Sequence, residues 1–174
     1  MTDKEEDRGS LAKAESAQHK RDAHPAEWRA GAVSQESELL ISRERDTDVQ
    51  WVPAAGHWLW PRWVDLAEGC AALLGVDVEV AAEEWDWQLA RYSPGQFYGS
   101  HQDMWILGRP PGRERKLSIC VLLEGPSSLK VHGVFLPFRP GDAVAFPSWM
   151  GHEVQSAEAE RWSLVGWVEG PSWR

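Results

Sequence analysis

Cysteine is almost missing from this sequence: Cys70 and Cys120 are the only two, and no Cys-x-x-Cys pair occurs. That removes the usual signals for a zinc ribbon or a dithiol redox enzyme. Both cysteines sit among apolar residues, so they are expected to be buried thiols of a reducing cytosol, with the protein cytoplasmic. Positive charge is also scarce, with 18 Lys and Arg against 27 Asp and Glu and a net charge of −9. Proteins that grip a nucleic-acid backbone carry a basic face, so no nucleic-acid partner is expected, although a small basic pocket remains compatible. No apolar run approaches the roughly 20 residues of a membrane-spanning helix, so no membrane partner is expected. The start, Met1-Thr2-Asp3-Lys4-Glu5-Glu6-Asp7, is too charged for a secretory signal.

Tryptophan, by contrast, is abundant, with 12 residues. Each indole buries a large apolar area, so most are expected in a core and a few at a substrate mouth. The 174 residues suffice for one domain. Residues 1–36 are rich in Lys, Glu, Asp, Ala and Ser without an apolar stripe, and are expected to form a flexible polar extension. The domain is expected over 37–174, opening with Leu39, Leu40 and Ile41 and anchored by Trp51. Between His57 and Gly75 apolar residues recur at three- and four-residue steps: Trp58, Trp60, Trp63, Leu66, Ala67, Cys70, Leu73 and Leu74. This predicts an amphipathic helix, with Pro61 in its first turn, Gly75 at its C-cap and His57 as a surface or capping residue.

From Trp85 onward the pattern changes to period two, punctuated by Gly and Pro. Strands are expected at 87–92, 97–105, 116–123, 129–138, 143–146, 152–156 and 161–168, with a mobile loop at Gly108–Arg113. Many short strands after helices predict a mainly β fold with flanking helices, closed as a jelly-roll barrel around a pocket.

The chemistry centres on His101-Gln102-Asp103. On a strand, residues two apart share a face, so an imidazole and a carboxylate here can converge on one cation while Gln102 points away. Two histidines and one carboxylate with open positions suit a non-haem Fe(II). His152 follows the turn Pro147-Ser148-Trp149-Met150-Gly151 and is favoured as the third ligand, with His132 as the competitor. His152-Glu153 has no second histidine four residues on, so it is not a zinc-protease helix. Arg161 and Ser163 share a strand face continued by Val165 and Trp167. A guanidinium beside a hydroxyl in an apolar pocket reads as a carboxylate clamp; a strand-end arginine paired with Glu158 or Glu160 is the alternative.

The ordered set Tyr92, Pro94-Gly95, Tyr98, His101-x-Asp103, Leu117-Ser118, Pro140-Gly141-Asp142, Phe146-Pro147, His152 and Arg161-x-Ser163 resembles the Fe(II)- and 2-oxoglutarate-dependent dioxygenases, and among them the prolyl-4-hydroxylase-like branch. The resemblance implies a double-stranded β-helix, a cupin-like jelly roll. It implies that His101, Asp103 and His152 bind Fe(II) and that Arg161, with Ser163, holds the distal carboxylate of 2-oxoglutarate. Tyr92 would reach this cosubstrate, and Tyr98 would lie nearer the substrate. Trp105 and Trp149 adjoin ligand-bearing segments and are candidates for the substrate rim. O2 is the implied co-reactant and ascorbate an implied stimulant. The products implied are succinate, CO2 and a hydroxylated substrate, which is a prolyl or other residue of a protein or peptide, or a small molecule.

Two departures stand out. Glu124-Gly125-Pro126-Ser127-Ser128-Leu129 replaces a Gly-Gly-Glu-Leu-like turn, and Val121-Leu122-Leu123 lacks the tyrosine some prolyl hydroxylases use on 2-oxoglutarate. The competing functions are a non-catalytic jelly-roll binding module, which the intact ligand set opposes, and a cupin-like metalloenzyme without 2-oxoglutarate, which Arg161-x-Ser163 opposes. The oligomeric state is left open.

Overall fold

A computed structural model describes residues 29–30, 44–80, 86–104 and 113–172. The expected features at Leu39–Ile41, Trp85, Trp105, most of the Gly108–Arg113 loop, and all of the 1–36 extension except Arg29 and Ala30 lie outside these residues.

The chain runs β1 (Arg29–Ala30), β2 (Arg45–Asp46), β3 (Asp48–Pro53), α1 (Trp60–Leu74), β4 (Asp86–Tyr92), β5 (Phe97–His101), β6 (Arg113–Glu124), β7 (Leu129–Val131), β8 (Val134–Phe135), β9 (Ala143–Pro147), β10 (His152–Val154) and β11 (Arg161–Pro171). One six-stranded sheet has the order β1-β3-β4-β11-β6-β9, and a five-stranded sheet has the order β2-β5-β10-β7-β8. All pairings are antiparallel. The two sheets form the jelly roll that the strand spacing predicts. Arg29 and Ala30 pair with Val49 and Asp48 at the edge of the larger sheet, so two residues of the expected extension add to the sheet.

Alternation along the central strands serves two cores. On the outer face of the six-stranded sheet, Trp87, Leu89, Leu117, Ile119, Leu164 and Val168 pack with Trp63, Ala67 and Ala71 of α1. Between the sheets, Val49, Ala90, Tyr92, Cys120, Leu122, Leu129, Val131, Phe146 and Val154 form the second core. The buried stripe of α1 is thus Trp63-Ala67-Ala71 at four-residue steps. Leu73, expected in that stripe, is 87 % exposed, and Leu74 is also exposed. They fall at the helix end, beyond the sheet surface that the small alanines allow α1 to approach. Gly75 caps the helix at φ 65° as predicted. His57 is a capping residue: its Nδ1 accepts from the Leu59 N–H at 3.2 Å, and its ring meets Trp87 edge-on. Trp51 does not anchor a core; it is 48 % exposed.

Several strands differ from their expected extents: β6 spans Arg113–Glu124 against the expected 116–123, and β10 ends at Val154 against the expected 156. The strand expected at 129–138 breaks into a hairpin at His132 (φ 50°) and Gly133 (φ 77°). Two successive left-handed residues make the tight turn that suits a two-residue hairpin. The strand expected at 97–105 ends at His101, and β11 runs on to Pro171.

Candidate metal centre and cosubstrate pocket

β4 and β5 lie in different sheets and are joined by Ser93-Pro94-Gly95-Gln96, where Gln96 N–H donates to Ser93 O at 2.9 Å and Gly95 has φ 89°. Proline before a left-handed glycine is the chemistry of a type II turn. The turn delivers β5 alongside β10, where His152 pairs with His101 but Val154 pairs with Tyr98. Three steps on β5 therefore match two on β10, which is a β-bulge at Gly99–Ser100. In a regular strand Tyr98 and His101 would face opposite ways. The bulge turns both into one cavity, where their rings stack at 3.5 Å between centroids and 13° between planes.

Asp103 lies two residues past the end of β5 rather than on the strand, yet its side chain still meets His101. Asp103 Oδ1 is 3.7 Å from His101 Nε2, and Oδ2 is 3.3 Å from His152 Nε2. The ligand atoms of all three lie within 4.8 Å of one another. His132 sits in the hairpin turn and is not among them. Gln102 turns outward and its amide donates to Trp149 O at 2.6 Å.

Both histidines are set for metal binding by their own backbone. His101 Nδ1 lies 2.8 Å from Gly99 O, and His152 Nδ1 lies 3.0 Å from Met150 O. A carbonyl only accepts, so each Nδ1 carries a proton and each Nε2 is the ring atom turned toward Asp103. Burial, and then the charge of His152, lower His101 to about 4, so its imidazole is neutral at neutral pH. Burial also opposes charge on His152, but the Asp103 carboxylate outweighs it and raises the group. Burial alone would raise Asp103; its bonds with His152 and Ser118 and the nearby His101 hold it below the ordinary carboxylate range. Ser118 Oγ donates to Asp103 Oδ2 at 2.6 Å and lies 3.0 Å from Ser148 Oγ, while Asp103 N–H donates to Ser148 O at 3.0 Å. The carboxylate is thus oriented from β6 and from the turn that follows β9. This donor set, two imidazole nitrogens and an oriented carboxylate with room on one side, fits Fe(II).

A cavity of about 280 Å³ opens beside the triad, lined by Tyr92, Tyr98, Arg161, Ser163, Val165 and Trp167 among others. The strand face predicted from Arg161 to Trp167 therefore does line it. Arg161 is 1 % exposed, and its Nη1 donates to Ser163 Oγ at 2.8 Å. Nη2 lies 3.5 Å from Cys120 Sγ, and the guanidinium carbon is 5.3 Å from the Tyr92 ring centre. Nε has no hydrogen-bond partner, and among the described residues no carboxylate pairs with Arg161. A buried guanidinium so placed fits the distal carboxylate of a keto acid; a salt bridge to Glu158 or Glu160 is not what the structure shows. Burial pushes Tyr92 up and Tyr98 to about 12, so both remain neutral phenols.

Two residues lining the cavity, Arg45 and Arg115, carried no sequence signal strong enough to single them out. Arg45, from the two-residue β2, lines the cavity and is 4 % exposed. Trp51 and Trp167 form an aromatic pair 6.0 Å apart at the mouth, and Arg115 lies over Trp167 at 3.9 Å. Trp149 is 42 % exposed and is not among the residues that line the cavity.

Residues 87–169 match the family model of the 2OG-Fe(II) oxygenase superfamily. This stretch is a 2OG-Fe(II) oxygenase domain. The oxygenase fold extends beyond it. A prolyl-4-hydroxylase of Pseudomonas putida is similar over 94 % of this chain and 88 % of its own, at 24 % identity and a TM-score of 0.64. A Trichoplax adhaerens prolyl hydroxylase, solved with a hypoxia inducible factor oxygen degradation domain peptide fragment, is similar over 91 % and 77 %, at 18 % identity and a TM-score of 0.63. A viral collagen prolyl hydroxylase from Paramecium Bursaria Chlorella virus-1, solved as a 2OG complex, covers 83 % and 95 %, at 16 % identity and a TM-score of 0.57. No curated protein matches the chain. The oxygenase is accordingly a 2-oxoglutarate-dependent dioxygenase whose cofactors are Fe(II) and 2-oxoglutarate. No helix among its described residues is long and apolar enough to cross a membrane.

Proposed function

We propose that this oxygenase hydroxylates a prolyl residue of a protein or peptide, converting 2-oxoglutarate to succinate and CO2. Iron, when bound, supplies the activation of O2 that couples the two half-reactions. The observation carrying the cosubstrate assignment is Arg161: a fully buried guanidinium with an unpartnered Nε, in the same cavity as the His-Asp-His set. In this reading His101, Asp103 and His152 hold the metal and leave its remaining positions to ligands from the cavity. Arg161 and Ser163 bind the distal carboxylate of 2-oxoglutarate, fixing which end of the keto acid reaches the metal. Tyr92, buried beside Arg161, offers a neutral hydroxyl to the same molecule.

The substrate side is the mouth. Trp51 and Trp167 present two indole faces on which a saturated, partly cationic-edged ring such as pyrrolidine packs well. Arg115 lies over Trp167, and its Nη1 donates to Asp103 O at 3.4 Å, which adds a cation to this side of the cavity. Tyr98 completes the wall above His101. The structurally similar proteins named as prolyl hydroxylases support the same substrate class. Residues 1–36 and Trp105 retain their readings as an extension to the 37–174 domain and as a rim residue.

The test is anaerobic titration of the protein with Fe(II) and 2-oxoglutarate, followed by visible absorption. A metal-to-ligand charge-transfer band is expected, and its absence at saturating ligands overturns the cosubstrate assignment. Proline-containing peptides should then raise succinate formation and gain one oxygen by mass. Stimulation only by small molecules would move the substrate class.

A further inference from the structure

We propose that Arg45 is a positioning residue for the metal centre, acting through Tyr98 on His101. The inference rests on the reading of His101, Asp103 and His152 as metal ligands, and it assigns a role to a side chain outside that set. β2 contributes only two residues, and Arg45 is the cross-strand partner of Tyr98. The guanidinium carbon of Arg45 sits 4.4 Å from the Tyr98 ring centre. Tyr98 in turn lies flat on the His101 imidazole at 3.5 Å. Three planar groups are therefore layered in the order guanidinium, phenol, imidazole, and the last is a metal ligand.

The stack is held from outside. Arg45 Nη2 donates to Gln88 Oε1 at 2.6 Å, and both side chains are buried. Gln88 belongs to β4 of the six-stranded sheet, whereas Arg45 and Tyr98 belong to the five-stranded sheet. The bond thus ties the outer layer of the stack to the opposite wall of the cavity. On the inner side, the Gly99–Ser100 bulge is what turns Tyr98 onto the face of His101. The space is tight there: a Cβ on Gly99 would come within 3.1 Å of Glu44 O, next to Arg45. A cation over one face of a phenol is attracted by its ring electrons, and a buried pair is held more firmly than an exposed one. Tyr98 therefore has few other places to go, and neither has the ring beneath it.

What remains for the imidazole is rotation about its own plane, and the Nδ1 bond to Gly99 O removes that. Tyr98 fixes the plane and Gly99 fixes the rotation, so Nε2 is aimed before metal arrives. Preorganised ligands bind metal more tightly because less ordering remains to be done. Arg45 contributes by keeping Tyr98 seated rather than by ligating the metal.

The test is a double-mutant cycle read by Co(II) binding to the metal-free, full-length protein, followed by the visible d–d absorption of Co(II). Arg45→Met keeps much of the side-chain length and removes the cation and the bond to Gln88. It should weaken Co(II) binding by about tenfold, the scale of a lost outer ligand support. In a Tyr98→Ala background the same change should cost less than about twofold, because its intermediary is gone. Tyr98→Phe keeps the stack and should retain near wild-type affinity, and Arg45→Lys should recover part of the loss. Unaltered Co(II) affinity in Arg45→Met, or equal losses in both backgrounds, overturns the inference. If Arg45→Met fails to fold, the Arg45→Lys and Tyr98→Phe proteins decide it, since intermediate affinity in the first and full affinity in the second are both required. Failure of the wild-type protein to bind Co(II) would instead strike the metal-site reading itself.

Discussion

At the scale of single residues, the site is a set of groups held in the protonation state and direction their work needs. Arg161 is the clearest case. Its charge is buried, its hydroxyl neighbour Ser163 is neutral, and its Nε is left for a ligand. Arg161→Ala should weaken 2-oxoglutarate binding about ten- to hundredfold, because a lost charge-assisted bond costs roughly 1.5–3 kcal/mol. Titrating the charge-transfer band with 2-oxoglutarate measures this directly; unchanged affinity would place the clamp on another cation such as Lys116, Lys130 or Arg139. Ser118 makes a separate prediction. Its hydroxyl is the neutral donor that orients Asp103 Oδ2, so Ser118→Ala should lower metal affinity about tenfold while the fold persists. Equilibrium dialysis with Co(II) checks it, with melting temperature as the control. The ligands themselves were legible in sequence because His-x-Asp, the Pro/Gly turn before His152 and Arg-x-Ser each carry a local pattern. The roles of Arg45, Gln88 and Ser118, the last quoted only as part of the family pattern, were not, because they arise from partners 15 and 43 residues away.

At the scale of elements, period-two alternation located β4, β6, β9 and β11 of the larger sheet, whereas β1 and β3 were not among the expected strands. The pattern could not show the Gly99–Ser100 bulge. Inserting one residue changes which side chains share a face but leaves the composition of the segment the same. It likewise could not show that 129–138 turns back at His132-Gly133, because the residues on both sides suit strands equally. β11 illustrates how an element couples fold to site. Arg161, Ser163, Val165 and Trp167 face the cavity, while Leu164, Gly166 and Val168 face the helix side. A Cβ at Gly166 would collide with the indole rings of Trp63 and Trp87. Both rings are fully buried and have no free volume to retreat into. Gly166→Ala should therefore destabilise the protein by about 1–3 kcal/mol, the usual cost of overpacking a dense core. Thermal melting should show a fall of several degrees. If the variant melts with the wild type, α1 is less firmly docked on the sheet than the packing indicates.

At the scale of the whole molecule, the two sheets divide the labour. The five-stranded sheet supplies His101 and His152, and the six-stranded sheet supplies Arg161 and Ser163, so the proposed metal and cosubstrate groups meet only when the jelly roll closes. Every one of these residues lies after Tyr92, and the elements that support them begin at Arg45. Upstream of that, the described contribution to the fold is the pairing of Arg29 and Ala30 with the edge of the larger sheet. Two edge pairings contribute on the order of 1 kcal/mol. For a chain of this size that corresponds to about 2–4 °C in melting temperature. A protein beginning at Ser37 should therefore fold, melt within about 4 °C of the full chain, and give the same charge-transfer band with Fe(II) and 2-oxoglutarate. An insoluble or unfolded product would mean that the first 36 residues pack on the domain more extensively than through β1. A different result would be a folded, cosubstrate-competent protein that consumes 2-oxoglutarate without hydroxylating the peptide that the full chain accepts. In that event the extension is a substrate arm, and its acidic residues would select peptides with basic flanks, which comparing peptide variants at two salt concentrations would reveal.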